Sequence, residues 1–121
     1  MEFKSKKAIY LQIADFCCEK ILQKGWVCEQ KIPSIREIAL MLEVNPNTVT
    51  RTVSYLEEHN IIKMQRGVGY FVTQHAVKII VDLKKQEFFN EDLPTLFRMM
   101  QLMDITFEEI TTLYKKTRNK R

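Results

Sequence analysis

The amino-acid sequence predicts a mainly α fold carrying one small β-hairpin, an α+β arrangement, on three observations. Residues 8–24 repeat apolar groups at Ile9, Ile13, Cys17 and Ile21, the spacing of an amphipathic helix. Two helix-start signals follow almost back to back, Ser34 with Glu37 and Asn45 with Pro46. Then "GVG" at residues 67–69 separates two runs rich in β-branched and aromatic residues. Helix, helix-turn-helix and hairpin, in that order, make a winged helix. The chain divides on this reading into a winged helix-turn-helix over residues 1–73 and a helical tail over residues 74–121.

In the first helix Tyr10, Ala14 and Leu22 flank the apolar stripe, and Gly25 is the expected stop. The second helix starts at a capping box, in which the Ser34 hydroxyl accepts from the Glu37 amide and the Glu37 carboxylate reaches back. Ile35, Ile38, Ala39 and Leu42 then fall at i, i+3, i+4 and i+7. Only Glu43 and Val44 separate this helix from the next cap. Asn45 suits the N-cap, and Pro46 suits the first helical position, where a missing N–H costs nothing. The third helix runs to about His59 over the stripe Val49, Val53 and Leu56, with Asn47, Arg51, Ser54 and Glu58 on the opposite face. Asn60 stands where a left-handed C-cap is wanted. "IIKMQR" and "YFVT" read as the two strands of the hairpin.

The tail shows one stripe of Ala76, Ile79, Ile80 and Leu83 and a second of Leu93, Leu96, Phe97, Met100 and Met103. Pro94 should start, kink or interrupt a helix there. Thr106 and Glu109 form another capping box, ahead of Ile110, Leu113 and Tyr114, and the basic end "KKTRNKR" is expected to fray.

Bulk properties exclude several function classes. The 121 residues are 45% hydrophobic and 28% charged, ordinary for a globular chain. No apolar run is long enough to cross a bilayer, and "MEFKSKKAIY" lacks the apolar centre of a signal peptide, so the expected location is cytoplasmic with no membrane partner. Cys17, Cys18 and Cys28 make no even disulfide framework and read as reduced thiols, with a redox role for one of them as an alternative. His59 and His75 show no metal-ligand spacing to them, so no metal is expected. No nucleophile–base pair or phosphate loop is present, and "GVGYF" is too short for a dinucleotide fingerprint. Neither an enzyme nor a cofactor is expected. The net charge of +4 permits a nucleic-acid partner. It is shared evenly, with ten basic and eight acidic groups in residues 1–73 and nine and seven in residues 74–121. Placement, not total charge, must therefore locate a binding face.

That face begins at "VNPNTVTRTV", residues 44–53. A helix entering the DNA major groove meets base edges and phosphates with its first turns. Asn can bond adenine in bidentate fashion, Thr can bond a base or a phosphate, and Arg can read guanine or neutralise a phosphate. Asn47, Thr48, Thr50 and Arg51 are such a set. A polar face that is merely solvated is the alternative, and the capped helix, tight turn and hairpin around it argue against that.

The stretch "IPSIREIALMLEVNPNTVTRTVSYLEEHNIIKMQRGVGYFV" resembles the DNA-binding domain of the GntR family of bacterial transcription regulators, and the likeness covers about residues 8–73. The resemblance implies that Ser34 contacts phosphate and that Arg36 contacts DNA near the half-site centre. It also implies that Asn47, Thr48 and Arg51 belong to the recognition helix. Gly67 and Gly69 match the family's wing, which lies against the minor groove, and Lys63 and Arg66 flank its turn. Three positions depart from the family pattern. Glu29 stands where many members have Gly, Pro46-Asn47 replaces a common Ser-Arg pair, and Asn60 replaces the usual Gly after the recognition helix.

The short tail resembles that of the YtrA-like subfamily, which implies a dimerisation element and a link to transporter operons. Ile79, Ile80, Leu83, Phe88, Phe89, Leu93, Leu96, Phe97 and Met100 are the expected dimer interface. The expected function is a homodimeric repressor acting on a palindromic double-stranded DNA operator. The alternative is a winged-helix protein-interaction module without DNA binding. The sequence names no small-molecule effector.

Overall fold

A computed structural model of the chain describes residues 7–119. The element order is α1 (Ile9–Leu22), α2 (Ile35–Leu42), α3 (Pro46–Glu58), β1 (Ile62–Gln65), β2 (Gly69–Val72), α4 (Ala76–Glu87), a π-helical turn (Phe88–Asp92), α5 (Leu93–Leu102) and α6 (Phe107–Asn119). A mainly helical winged helix with a helical tail is therefore what the sequence builds.

α1 buries Ile13, Ala14, Cys17, Cys18 and Ile21, whereas Ile9, assigned to the same stripe, is exposed on its first turn. The chain leaves α1 through Lys24 in the left-handed region (φ 66°), one residue before the expected Gly25. Gly25 and Trp26 both donate to the Lys20 carbonyl, at 2.8 and 3.2 Å, so the terminal carbonyl is satisfied without glycine in that conformation.

The connection to α2 holds a feature absent from the sequence reading. Cys28 and Lys31 form single bridges to Val72 and Phe71, and the Ile32 amide donates to the Tyr70 carbonyl at 2.9 Å. A short third run thus edges the hairpin, with Ile32 buried beneath it. Glu29, at the position where the family pattern has Gly, lies at φ 74°. The backbone demands the left-handed region there, which explains why glycine suits the position.

α2 opens on the expected box: the Glu37 amide donates to Ser34 Oγ at 3.1 Å, and the Ser34 amide donates to Glu37 Oε1 at 2.8 Å. It ends at Glu43 in the left-handed region (φ 55°). α3 starts at the Asn45 cap, whose Oδ1 accepts from the Asn47 amide at 2.7 Å, and Asn60 beyond its end takes the expected left-handed conformation (φ 61°). Its inner face is Val49, Thr52, Val53 and Leu56. Thr52, fully buried, donates from Oγ1 to the Tyr10 carbonyl of α1 at 2.7 Å.

β1 and β2 pair antiparallel with Ile62 opposite Val72 and Gln65 opposite Gly69. The strands are offset from those read in the sequence, since Arg66 belongs to the turn and Gly69 to β2. At φ 143° only glycine is comfortable at residue 69, and a Cβ there would lie 2.6 Å from Lys31 Cε.

The chain falls into two compact units, the first ending at Asp82 and the second beginning at Leu83. The expected boundary at 73/74 marks the end of the hairpin. The compact unit continues into α4, where Ala76 and Ile80 are buried. Beyond it, Pro94 sits in the first turn of α5, directly after the π-helical turn. A proline lacks the amide and crowds the carbonyl four residues back, and widening the helix by one π turn accommodates both. α6 carries its expected capping box, with Thr106 N–H donating to Glu109 Oε1 at 2.8 Å and Glu109 N–H to Thr106 Oγ1 at 3.1 Å. It stays helical to Asn119, past the expected fraying point.

The Thr52 bond gives a direct test of the α1–α3 crossing. Thr52→Val keeps the shape and removes the donor, at a cost of about 1 kcal/mol. The thermal midpoint followed by circular dichroism should fall by roughly 4–8 °C, and Thr52→Ser should recover most of it. A midpoint unchanged in Thr52→Val would show that the hydroxyl contributes nothing to the crossing.

Candidate nucleic-acid interface

Three places in the first unit hold the residues singled out for DNA. The first is the outer face of α3. Asn47, Thr50, Arg51 and Ser54 are exposed there, opposite the buried stripe. The Asn47 carboxamide makes no hydrogen bond among the described residues, because the cap uses only its backbone amide. Thr50 Oγ1 donates to the Pro46 carbonyl at 3.1 Å, which leaves its lone pairs outward as acceptors. Thr48 is half-buried and sits at the rim of this face. The Arg51 guanidinium lies over the Tyr10 ring, 4.1 Å from its centroid.

The second place is the first turn of α2. Capping uses one acceptor position of the Ser34 hydroxyl, and the same hydroxyl donates toward the Glu37 carboxylate. Arg36 is exposed and makes no ion pair with Glu37, Glu43 or any other described residue. The hydrogen bonds from the Ser34 amide and hydroxyl, more than the nearby Lys31 charge, hold the Glu37 carboxyl below its ordinary pKa. It is therefore a fixed anion beside Arg36 at neutral pH.

The third place is the turn of the hairpin. Lys63, Arg66, Gly67 and Val68 are exposed, and Gly67 takes φ 78°. Val68 N–H closes the turn on the Gln65 carbonyl at 2.9 Å. Lys31, its methylenes packed under Gly69, adds a cation to this wing that sequence reading missed. It lies in the loop before α2, and the Phe71 bridge brings it against the hairpin. Tyr10, by sequence only a flank of the α1 stripe, meets α3 through its ring at Arg51 and Tyr55.

The cysteines do not join any of these places. Burial pushes the Cys17 thiol up to about 12, aided by its neighbour Cys18, which is the opposite of a reactive thiolate.

In the tail, Ile80 is fully buried within the single chain and has no surface to offer a second one, which corrects its assignment to an interface. Ile79, Leu83, Leu93 and Met100 are half-buried, and Phe88, Phe89, Leu96 and Phe97 are exposed. The exposed apolar set is wider than expected: it includes Met99, Leu102, Met103, Phe107, Leu113 and Tyr114. Among the described residues no helix is long and apolar enough to cross a membrane.

Residues 9–72 match the model of the family described as bacterial regulatory proteins, gntR family. The chain is 38% identical over 109 residues to the HTH-type transcriptional regulator YhcF of Bacillus subtilis, covering 90% of this chain and 88% of that one. It is 34% identical over 76 residues to the HTH-type transcriptional repressor YtrA of the same organism, covering 63% of this chain and 55% of YtrA. Among solved structures, a GntR-family transcriptional regulator from Bacteroides thetaiotaomicron superposes with a TM-score of 0.79 at 38% identity, covering 93% of this chain and 98% of that chain. The chain belongs to the gntR family of bacterial regulatory proteins and carries its DNA-binding domain.

Proposed function

We propose that this GntR regulator is a cytoplasmic homodimer that binds a palindromic double-stranded DNA operator in a sequence-specific manner and represses transcription, with a transporter operon as the target that the resemblance of its tail to the YtrA-like subfamily implies. The outer face of α3 carries the reading. Asn47, Thr50 and Arg51 stand exposed on a capped helix, and the Asn47 carboxamide is unspent. That carboxamide offers the donor and acceptor an adenine edge requires, and Arg51 suits guanine or phosphate. The Ser34 hydroxyl and Arg36 serve as phosphate contacts that set the register. Lys31, Lys63 and Arg66 bring charge to the wing, where Gly67 and Gly69 leave the turn free of bulk.

The tail supports the dimer. No described residue of α5 or α6 is buried, while Leu102 is 86% and Phe107 74% exposed. Apolar surface on that scale marks an interface on a soluble protein. A second copy covers it under a two-fold axis, and a two-fold protein reads a palindrome.

Duplexes selected by the parent protein from a randomised pool separate reading from holding. Asn47→Ala should cost roughly 1–3 kcal/mol on the selected duplex and little on a scrambled one. Arg66→Ala should weaken both alike and lower the salt slope by about one. A parent with no salt-dependent affinity for any duplex would leave the protein-interaction module as the answer.

For the tail, sedimentation of the full chain at micromolar concentration should give a dimer. Leu102→Lys combined with Phe107→Lys should give a monomer that keeps the fold of the first unit, because both side chains are largely exposed on their own chain. A monomeric parent would sink the dimer.

A further inference from the structure

We infer that Tyr10, on α1, is a positioning residue for DNA recognition: it holds the Arg51 guanidinium flat and aimed before DNA arrives. The inference rests on the reading of α3 as the helix that enters the groove. Arg51 is the one long cation on that face, and a free arginine side chain loses considerable rotamer freedom when it docks. Here that freedom is already restricted. The guanidinium carbon lies 4.1 Å from the Tyr10 ring centroid, a stacked distance. A guanidinium that stacks on a ring is covered on one face and keeps its in-plane N–H donors open, the groups that fork onto guanine or phosphate.

The platform is itself held. Thr52 Oγ1, one residue after Arg51, donates to the Tyr10 carbonyl at 2.7 Å. The Tyr10 ring meets the Tyr55 ring edge-on, with centroids 6.4 Å apart. Tyr55 in turn lies 4.3 Å from the His59 ring, whose Nδ1 is 2.9 Å from the Tyr55 carbonyl. Tyr10 thus receives Arg51 on one side and is anchored by Thr52 and Tyr55 on others, all through the α1–α3 crossing. A residue outside the helix-turn-helix thereby sets the direction of its central cation.

A double-mutant cycle on the duplex selected by the parent protein tests this. Tyr10→Leu should weaken that duplex about three- to tenfold, whereas Tyr10→Phe, which keeps the ring, should bind like the parent. In an Arg51→Ala background Tyr10→Leu should cost nothing further. In the free protein, the Arg51 Hε resonance should sit upfield under the ring current and return to its ordinary position in Tyr10→Leu. Should Tyr10→Leu fail to fold, a phenylalanine at residue 10 with a progressively fluorinated ring keeps the shape while removing its negative face, and affinity should fall stepwise. Equal losses from Tyr10→Leu with and without Arg51, or affinity indifferent to fluorination, would overturn the role of Tyr10 while leaving α3 as the reader. If Arg51→Ala binds the selected duplex like the parent, the assignment of Arg51 to the reading face fails, and the role of Tyr10 fails with it.

Discussion

The hydrogen bond from Thr52 to the Tyr10 carbonyl is the constraint on which the first unit depends. Apolar stripes such as Val49, Val53 and Leu56 press α3 against its neighbours, but burial is non-directional and tolerates some rotation of a helix about its axis. A hydroxyl bonded at 2.7 Å in a fully buried place is directional, and breaking it there is costly. Once Thr52 faces α1, the 100° step of the helix sends Asn47, Thr50 and Arg51 outward. A side chain that does no recognition therefore decides which side chains can.

Helix starts are legible in side-chain chemistry, whereas most of the chain reversals between elements are not. Ser34 with Glu37, Asn45 with Pro46 and Thr106 with Glu109 each announce a start through a side-chain bond that few residue types can make. Chain reversals rely on backbone conformation instead. Lys24, Glu29 and Glu43 all take the left-handed region, and nothing in their chemistry advertises it. Only Asn60, whose residue type favours that region, was foreseen. Each of the others accepts a modest local strain held by the surrounding fold.

The candidate site divides along a similar line. Residues that act through a local pattern, such as the outward row on α3 or the glycines of the wing, can be read from spacing. Residues that act across the chain cannot. Tyr10 and Thr52 lie 42 positions apart, and Lys31 reaches the wing because a short loop edges the hairpin. Ile80 shows the converse, since periodicity placed it on an apolar face but could not say whether that face was core or surface. Its full burial decides for the core.

The two units answer the folding problem differently. In the first, Ile38, Leu56, Ile61, Ile62 and Ile80 are fully enclosed, so local helix signals and burial reinforce one another. In the second, local signals are equally good. A capping box opens α6, and a π turn makes room for Pro94, yet no described residue is buried. Capping and propensity alone leave helices this short marginal in water, because most helical stability comes from packing an apolar face. What the second unit lacks is a surface to pack on, and the proposed dimer would supply one from a second copy of the same tail. On the proposed dimer, the order of the tail and the pairing of two reading heads become one equilibrium. Occupancy of a two-fold operator then rises more steeply with protein concentration than a single reading head would allow.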